Sequence, residues 1–174
     1  MKTLLSSRFI LAVFCIIFLS QLAKAQDDMT QPTAAKNETM EMFMGTWKSD
    51  PYEMMGTKWT ETAVHSMKHN GHYMFVDITS VDDKGQSYTG TIIMKSDASG
   101  NLTGWSFDNW GTAGTYTGKS NRNKITVTGK SYWVTESREI KINGNTMVHK
   151  ISMTMMGKDG KEMNMNSTIT YRKQ

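Results

Sequence analysis

From Gly45 to the C-terminus, short runs of alternating apolar and polar residues are broken at regular intervals by turn formers. The breaks are Asn70-Gly71, Asp83-Lys84-Gly85, Ala98-Ser99-Gly100, Asn121-Arg122-Asn123, Asn143-Gly144 and Lys158-Asp159-Gly160. Asn-Gly suits the two positive-φ positions of a type I′ turn, and a three-residue loop ending in Gly suits a type I turn with a bulge. Punctuation of this kind predicts an all-β chain: an antiparallel up-and-down barrel of about eight to ten strands. A short N-terminal helix is expected over Glu38–Met44, where Met40, Phe43 and Met44 share one face.

The first 25 residues read as a cleaved secretion signal. Lys2 and Arg8 form the basic region, Ile10 to Leu19 is apolar, and Ala23-Lys24-Ala25 is an A-x-A cleavage site. Residues 26–36 are polar, contain Pro32 and read as a flexible lead-in, leaving 37–174 as one domain. The protein is therefore expected to be exported, periplasmic or secreted, with no stable membrane anchor after cleavage. Removal of Lys2, Arg8 and Lys24 leaves seventeen basic against sixteen acidic side chains, so nothing in the charge balance points to nucleic acid. It also removes Cys15, the only cysteine, and with it disulfides, thiolate metal sites and cysteine nucleophiles.

Turn length sets cross-strand partners, and opposed residues share a face. A two-residue turn at Asn143-Gly144 places Arg138 opposite His149, Glu136 opposite Ile151 and Val134 opposite Met153. The Lys158–Gly160 loop places Met155 opposite Met163, Met153 opposite Met165, Ile151 opposite Ser167, His149 opposite Ile169 and Met147 opposite Tyr171. The Asn70-Gly71 turn sets Met67 against Met74 and His65 against Val76. The Asp83–Gly85 loop sets Met74 against Met94, Val76 against Ile92 and Ile78 against Gly90. All these apolar residues fall on one inner face, and Trp105 and Phe107 are expected to join them.

Gly45-Thr46-Trp47 followed by a strand meander resembles the calycin superfamily of lipocalin-like barrels, most closely an exported bacterial domain family of unassigned function. Gly114-Thr115-Tyr116, Ile125-Thr126-Val127-Thr128-Gly129, Arg138-Glu139, Asp159-Gly160-Lys161-Glu162 and the ending Tyr171-Arg172-Lys173 carry the resemblance across residues 40–173. It implies a calycin-like barrel with a cavity and no established reaction. It also implies that Arg172 covers Trp47 at one barrel end, a structural cation–π contact.

Three clusters are candidate sites. Arg138 and His149, with Glu136 and Tyr171 nearby, form a polar group on the inner face. An inward Arg needs a carboxylate, water or a ligand anion. The ligand reading is a small hydrophobic or amphipathic molecule with its anionic end near Arg138, His149 and Tyr171. Its apolar wall is Met74, Val76, Ile78, Ile92, Met94, Met153 and Met165. The structural reading is that Glu136 simply pairs with Arg138. The second cluster is methionine: fifteen remain after the signal, and Met153, Met155, Met163 and Met165 make a thioether patch suited to copper(I). Met also fills cores and lines adaptable cavities. The third is His65, His69 and His72 beside Met67, a possible soft-metal set. No nucleophile elbow, H-E-x-x-H or phosphate loop is present, so binding is favoured over catalysis and no cofactor is named. The alternatives are soft-metal binding and a structural or interaction domain with a filled barrel.

Overall fold

The computed structural model describes residues 33–34, 37–157 and 160–174. The signal expected over 1–25 lies outside the described residues, as does the lead-in apart from Thr33 and Ala34. One short helix, α1 (Glu38–Met42), precedes eleven strands. These are β1 (Gly45–Ser49), β2 (Tyr52–Met54), β3 (Thr57–Lys68), β4 (Tyr73–Asp82), β5 (Ser87–Ser96) and β6 (Asn101–Asp108). They continue as β7 (Ala113–Asn121), β8 (Lys124–Ser131), β9 (Val134–Asn143), β10 (Thr146–Met156) and β11 (Glu162–Lys173). Each strand from β3 to β11 pairs antiparallel with the next, and β1 closes the sheet by pairing with both β11 and β3. The barrel thus has ten strands, with β2 as a short flap on β3. Closure removes the open edges that a sheet of this length would otherwise present. Among the described residues, no helix is long and apolar enough to cross a membrane.

Three loops share one design. Three residues ending in a positive-φ glycine separate the strand ends at Gly85, Gly100 and Gly111. In each the preceding aspartate closes the loop. Asp82, Asp97 and Asp108 each accept two backbone N–H groups, from Lys84 and Gln86, from Ser99 and Asn101, and from Trp110 and Thr112. The Asn109-Trp110-Gly111 loop was not among the punctuation sites, although Asp108 followed three residues later by Gly111 is the same signal.

The registers predicted across the Asn70-Gly71, Asp83–Gly85 and Lys158–Gly160 turns are those observed. The β9–β10 register differs by two residues. The loop is Gly144-Asn145, with positive φ at Gly144 and not at Asn145, so Asn143 rather than Ile142 ends the strand. Arg138 consequently faces Ile151, His149 faces Ile140, Glu136 faces Met153 and Val134 faces Met155. A shift of two keeps every side chain on its predicted face. Trp105 and Phe107 point outward, contrary to expectation, and are 40% and 52% exposed. The loop after β5 closes with three residues, Asp97 N–H to Asn101 O at 3.0 Å, which puts Gly104, not Trp105, opposite Met94.

One barrel end is shut. Asn37 caps α1 by accepting from the Met40 N–H, and its amide donates to Ser96 and to Ser120 (2.8 Å) at the ends of β5 and β7. Met40 and Phe43 are buried behind it, and the Trp47 indole N–H donates to the Phe43 carbonyl at 2.8 Å. Lys173, not Arg172, stands over the Trp47 ring, with Nζ 5.3 Å from its centre. Arg172 is opposite Lys48 and turns outward to Asp50 at 3.4 Å. Alternation along β11 decides this, because Trp47 and Lys173 are the cross-strand pair.

Candidate functional site

Inward positions on β5, β7 and β8 include Gly90, Gly114, Gly118 and Gly129, and at two of them a tyrosine ring takes the space left, Tyr88 of the same strand at Gly90 and Tyr116 of β7 at Gly129. A Cβ on Gly129 would stand 2.4 Å from the Tyr116 ring, so this glycine is what lets Tyr116 lie across the interior. The Tyr116 hydroxyl donates to Glu136 Oε1 at 2.9 Å, and Arg138 donates to Glu136 Oε2 at 2.9 Å. Arg138 and Glu136 sit two apart on β9, on the same face, so the pair is set by the strand itself. Burial pushes the Glu136 carboxyl up, but the Arg138 charge and the hydrogen bonds from Arg138 and Tyr116 outweigh it and hold it below the usual range. Burial likewise opposes the Arg138 charge, and Glu136 more than restores it. Burial is also the main cause that pushes the Tyr116 hydroxyl up to about 12, so it remains a donor.

A second carboxylate, Glu61 on β3, is held by three hydroxyls among the described residues. It accepts from Tyr171 (2.6 Å), Ser80 (3.0 Å) and Tyr52 (3.4 Å). Burial first, and Glu61 second, raise the Tyr171 hydroxyl well above its ordinary value. Tyr171 was singled out from the sequence; Glu61 as its partner was not, because β3 and β11 meet only through barrel closure.

Between these networks and the closed end lies a partly enclosed cavity of about 40 Å³. Its apolar wall includes Met74, Val76, Ile78, Ile92, Met94 and Ile140; its polar lining is Glu61, His65, Tyr116, Arg138 and His149. Among the described residues, none of the four ring nitrogens of His65 and His149 has a hydrogen-bond partner, nor has Arg138 Nε. Both imidazoles are only 6% exposed. Burial lowers the His65 pKa to about 4, with Lys173 adding to the effect. Burial, then Arg138 and His65, lower His149 well below its ordinary value. Both rings are therefore neutral at pH 7. His149 packs against the Tyr171 ring at 4.6 Å, and Phe43 stacks on His65 at 6.3 Å.

Of the residues predicted to bind a ligand, Arg138, His149, Met74 and Met94 line this cavity, while Glu136 and Tyr171 support it through their hydrogen bonds. Met153 and Met165 are cross-strand partners that point inward nearer the open end, outside the cavity lining. The histidines separate. His65 is buried on β3, whereas His69 and His72 belong to the turn that follows, where the His72 N–H donates to the His69 carbonyl. Met67 and Met163 are exposed at opposite ends of the barrel, and Met155 is half-buried. Among the described residues, no group of three or more His, Asp or Glu converges on one point. His65 as the partner of His149 went unread, because no turn connects their strands. A larger open trough of about 930 Å³ runs along the outer face of β7–β11 and is lined by hydroxyls such as Thr117, Thr128, Ser137 and Ser152. Outward Thr and Ser are what a solvated strand face carries.

No family model and no curated protein matches the chain. Among solved structures, the crystal structure of Rv2717c from M. tuberculosis is similar with a TM-score of 0.63 at 10% sequence identity, covering 79% of this chain and 99% of that one. A de novo designed fluorescence-activating β-barrel has a TM-score of 0.44 at 11% identity, with coverage of 80% and 100%. The first likeness concerns the barrel fold alone, and the second is too distant to carry an argument.

Proposed function

We propose that this is an exported, calycin-like binding protein whose guest is a small amphipathic molecule held in the barrel interior. The observation that carries the reading is the partly enclosed, mostly apolar cavity whose lining residues carry five hydrogen-bonding atoms left unpartnered among the described residues. Buried polar atoms are nearly always satisfied, and the residues that carry these five all line one cavity, where a polar guest would find partners. Arg138, His149 and His65 would hold the polar end. Met74, Val76, Ile92 and Met94 would take the apolar part. A guest longer than the cavity has to lift Tyr116 from Gly129, at the cost of its bond to Glu136.

Native mass spectrometry of the protein purified from its own producer tests this. A reproducible added mass of small-molecule size, lost on replacing Arg138 by Met in a chain that still melts cooperatively, is the expected result. A bare mass under gentle conditions, with no adduct from the producer's extract, would overturn it in favour of a filled structural barrel.

A further inference from the structure

The cavity has a chemistry more specific than "polar". A neutral imidazole offers one N–H donor and one lone-pair acceptor, and Arg138 Nε offers a donor. The carboxylic acid group has the same composition, one O–H donor beside one carbonyl acceptor. An acid bound as a neutral species can donate its O–H to one ring nitrogen while its carbonyl oxygen accepts from Arg138 Nε–H or from the second imidazole. No net charge is then buried, which matters in a wall otherwise made of Met, Val and Ile. Arg138 already carries Glu136 as its counter-ion at 2.9 Å, so it supplies a directed N–H more than an uncompensated charge. Glu61 is satisfied by three hydroxyls and does not compete for the guest's O–H.

Volume limits the rest of the guest. A water-sized group needs ~10–15 Å³ on this measure, so 40 Å³ takes about three or four such groups. That is the size of an acid of about one or two carbons, formic or acetic, with the methyl group of the latter against Ile92 and Met94.

We infer that the cavity between His65 and His149 is a site for a short-chain monocarboxylic acid, taken up together with one proton. The inference rests on the interior-binding reading and names the class of guest. The groups facing the two rings are Arg138 and the Tyr171 ring for His149, Phe43 and Lys173 for His65, and Glu61, Glu136 and Tyr116 around the cavity. At neutral pH the free acid is ionised, so the added proton comes from solvent and binding weakens as pH rises.

The experiment is isothermal titration of the processed protein with acetate and with octanoate, each in two buffers of different ionisation enthalpy. Expected are saturable one-to-one binding of acetate, uptake of about one proton per acid, and octanoate weaker by about tenfold or more, since the extra methylenes overpack the wall. His149→Leu and His65→Leu should each weaken acetate by about tenfold or more, and His72→Gln, on the turn, should change nothing. Absence of saturable acetate binding overturns the inference and leaves the cavity as a site for water only. Octanoate binding as tightly as acetate, or no proton uptake, also overturns it, and both are read on the unaltered protein. An adduct of another class in the mass spectrum, with no acetate binding, removes this inference alone; a bare mass removes the reading beneath it.

Discussion

The two ends of the barrel are finished by the same kinds of hairpin yet present opposite surfaces. At the end carrying α1, the connections are polar: His69–His72, Ala98–Gly100, Arg122-Asn123 and Gly144-Asn145. Behind them Met40, Phe43, Trp47, Met147 and Tyr171 are among the most buried side chains of the molecule. At the other end the loops carry large apolar groups in the open, with Trp110 65% and Tyr132 83% exposed alongside Met55, Trp133, Met156 and Met163. Tyr132 and Trp133 pack edge-on at 4.5 Å, Trp110 does so with Tyr88 at 5.1 Å, and the Met156 N–H bonds to the Trp133 carbonyl. Trp47 and Trp110 are the same residue with different energetic weight. The first is fully buried between helix and sheet; the second is largely exposed and meets the Tyr88 ring edge-on. Covering by α1 makes one end core.

The sharpest way to break this comparison is to truncate a tryptophan at each end. Trp47→Ala should cost ~3–5 kcal/mol in a urea melt, the range for a large buried aromatic. A loss under about 1 kcal/mol would mean that the closed end is not core. Arg138→Met should be nearly as costly, ~3–5 kcal/mol, because it leaves Glu136 buried without its cation. Adding Glu136→Gln should recover part of that loss, and a double-mutant cycle showing no coupling would contradict the pairing.

Acid provides the next test. The His65 pKa is lower in the fold, about 4, than its ordinary 6.5, so the unfolded chain binds more protons between those values. Stability is then complete above about pH 6.5 and is lost as pH falls toward about 4, by on the order of 3 kcal/mol from this ring. His149 acts in the same direction. Glu136, also lowered, adds its loss below the ordinary carboxylate range. Urea midpoints that stay flat from pH 7 to 4 would contradict the neutral buried rings, and His65→Phe should flatten the upper part of the curve.

Gly129→Ala should cost ~1–3 kcal/mol, since the new methyl group displaces the Tyr116 ring and its bond to Glu136. Ala at Gly144, where nothing lies near the added methyl but φ is +57, is the comparison that separates crowding from backbone strain. The smallest effect is expected at the open rim: Trp110→Ser and Trp133→Ser should each shift stability by less than about 0.5 kcal/mol. A larger change in thermal melting would mean that the rim is packed against something in solution.

How far the sequence could be read depended on the distance over which each contact is specified. Strand order, the inner and outer faces of β3, β4, β10 and β11, and the partners Met74–Met94 and Met153–Met165 follow from turn lengths of a few residues. The β9–β10 register slipped because Asn143-Gly144-Asn145 admits two placements of a two-residue turn, and with positive φ at Gly144 but not at Asn143 the turn is Gly144-Asn145. Trp105 was misplaced by hydrophobicity, which does not distinguish a core aromatic from one on a solvated strand face. In the candidate site, Glu136 with Arg138 was legible because both lie on one strand. Tyr116 with Glu136 required the β7–β8–β9 sheet, and Glu61 with Tyr171 required its closure.

By itself the sequence determined the local terms: where the chain turns, which residues alternate inward, and that Glu136 and Arg138 share a face. Those depend on turn geometry and a period of two, both written in consecutive residues. Only the tertiary structure decided which barrel end α1 covers, that Lys173 rather than Arg172 stands over Trp47, and that His65 and His149 line one cavity. These depend on β1 bridging β3 and β11, and on side chains meeting across the barrel. No local rule encodes such contacts, because the strands that bring them together are far apart in the chain and meet only when the sheet closes.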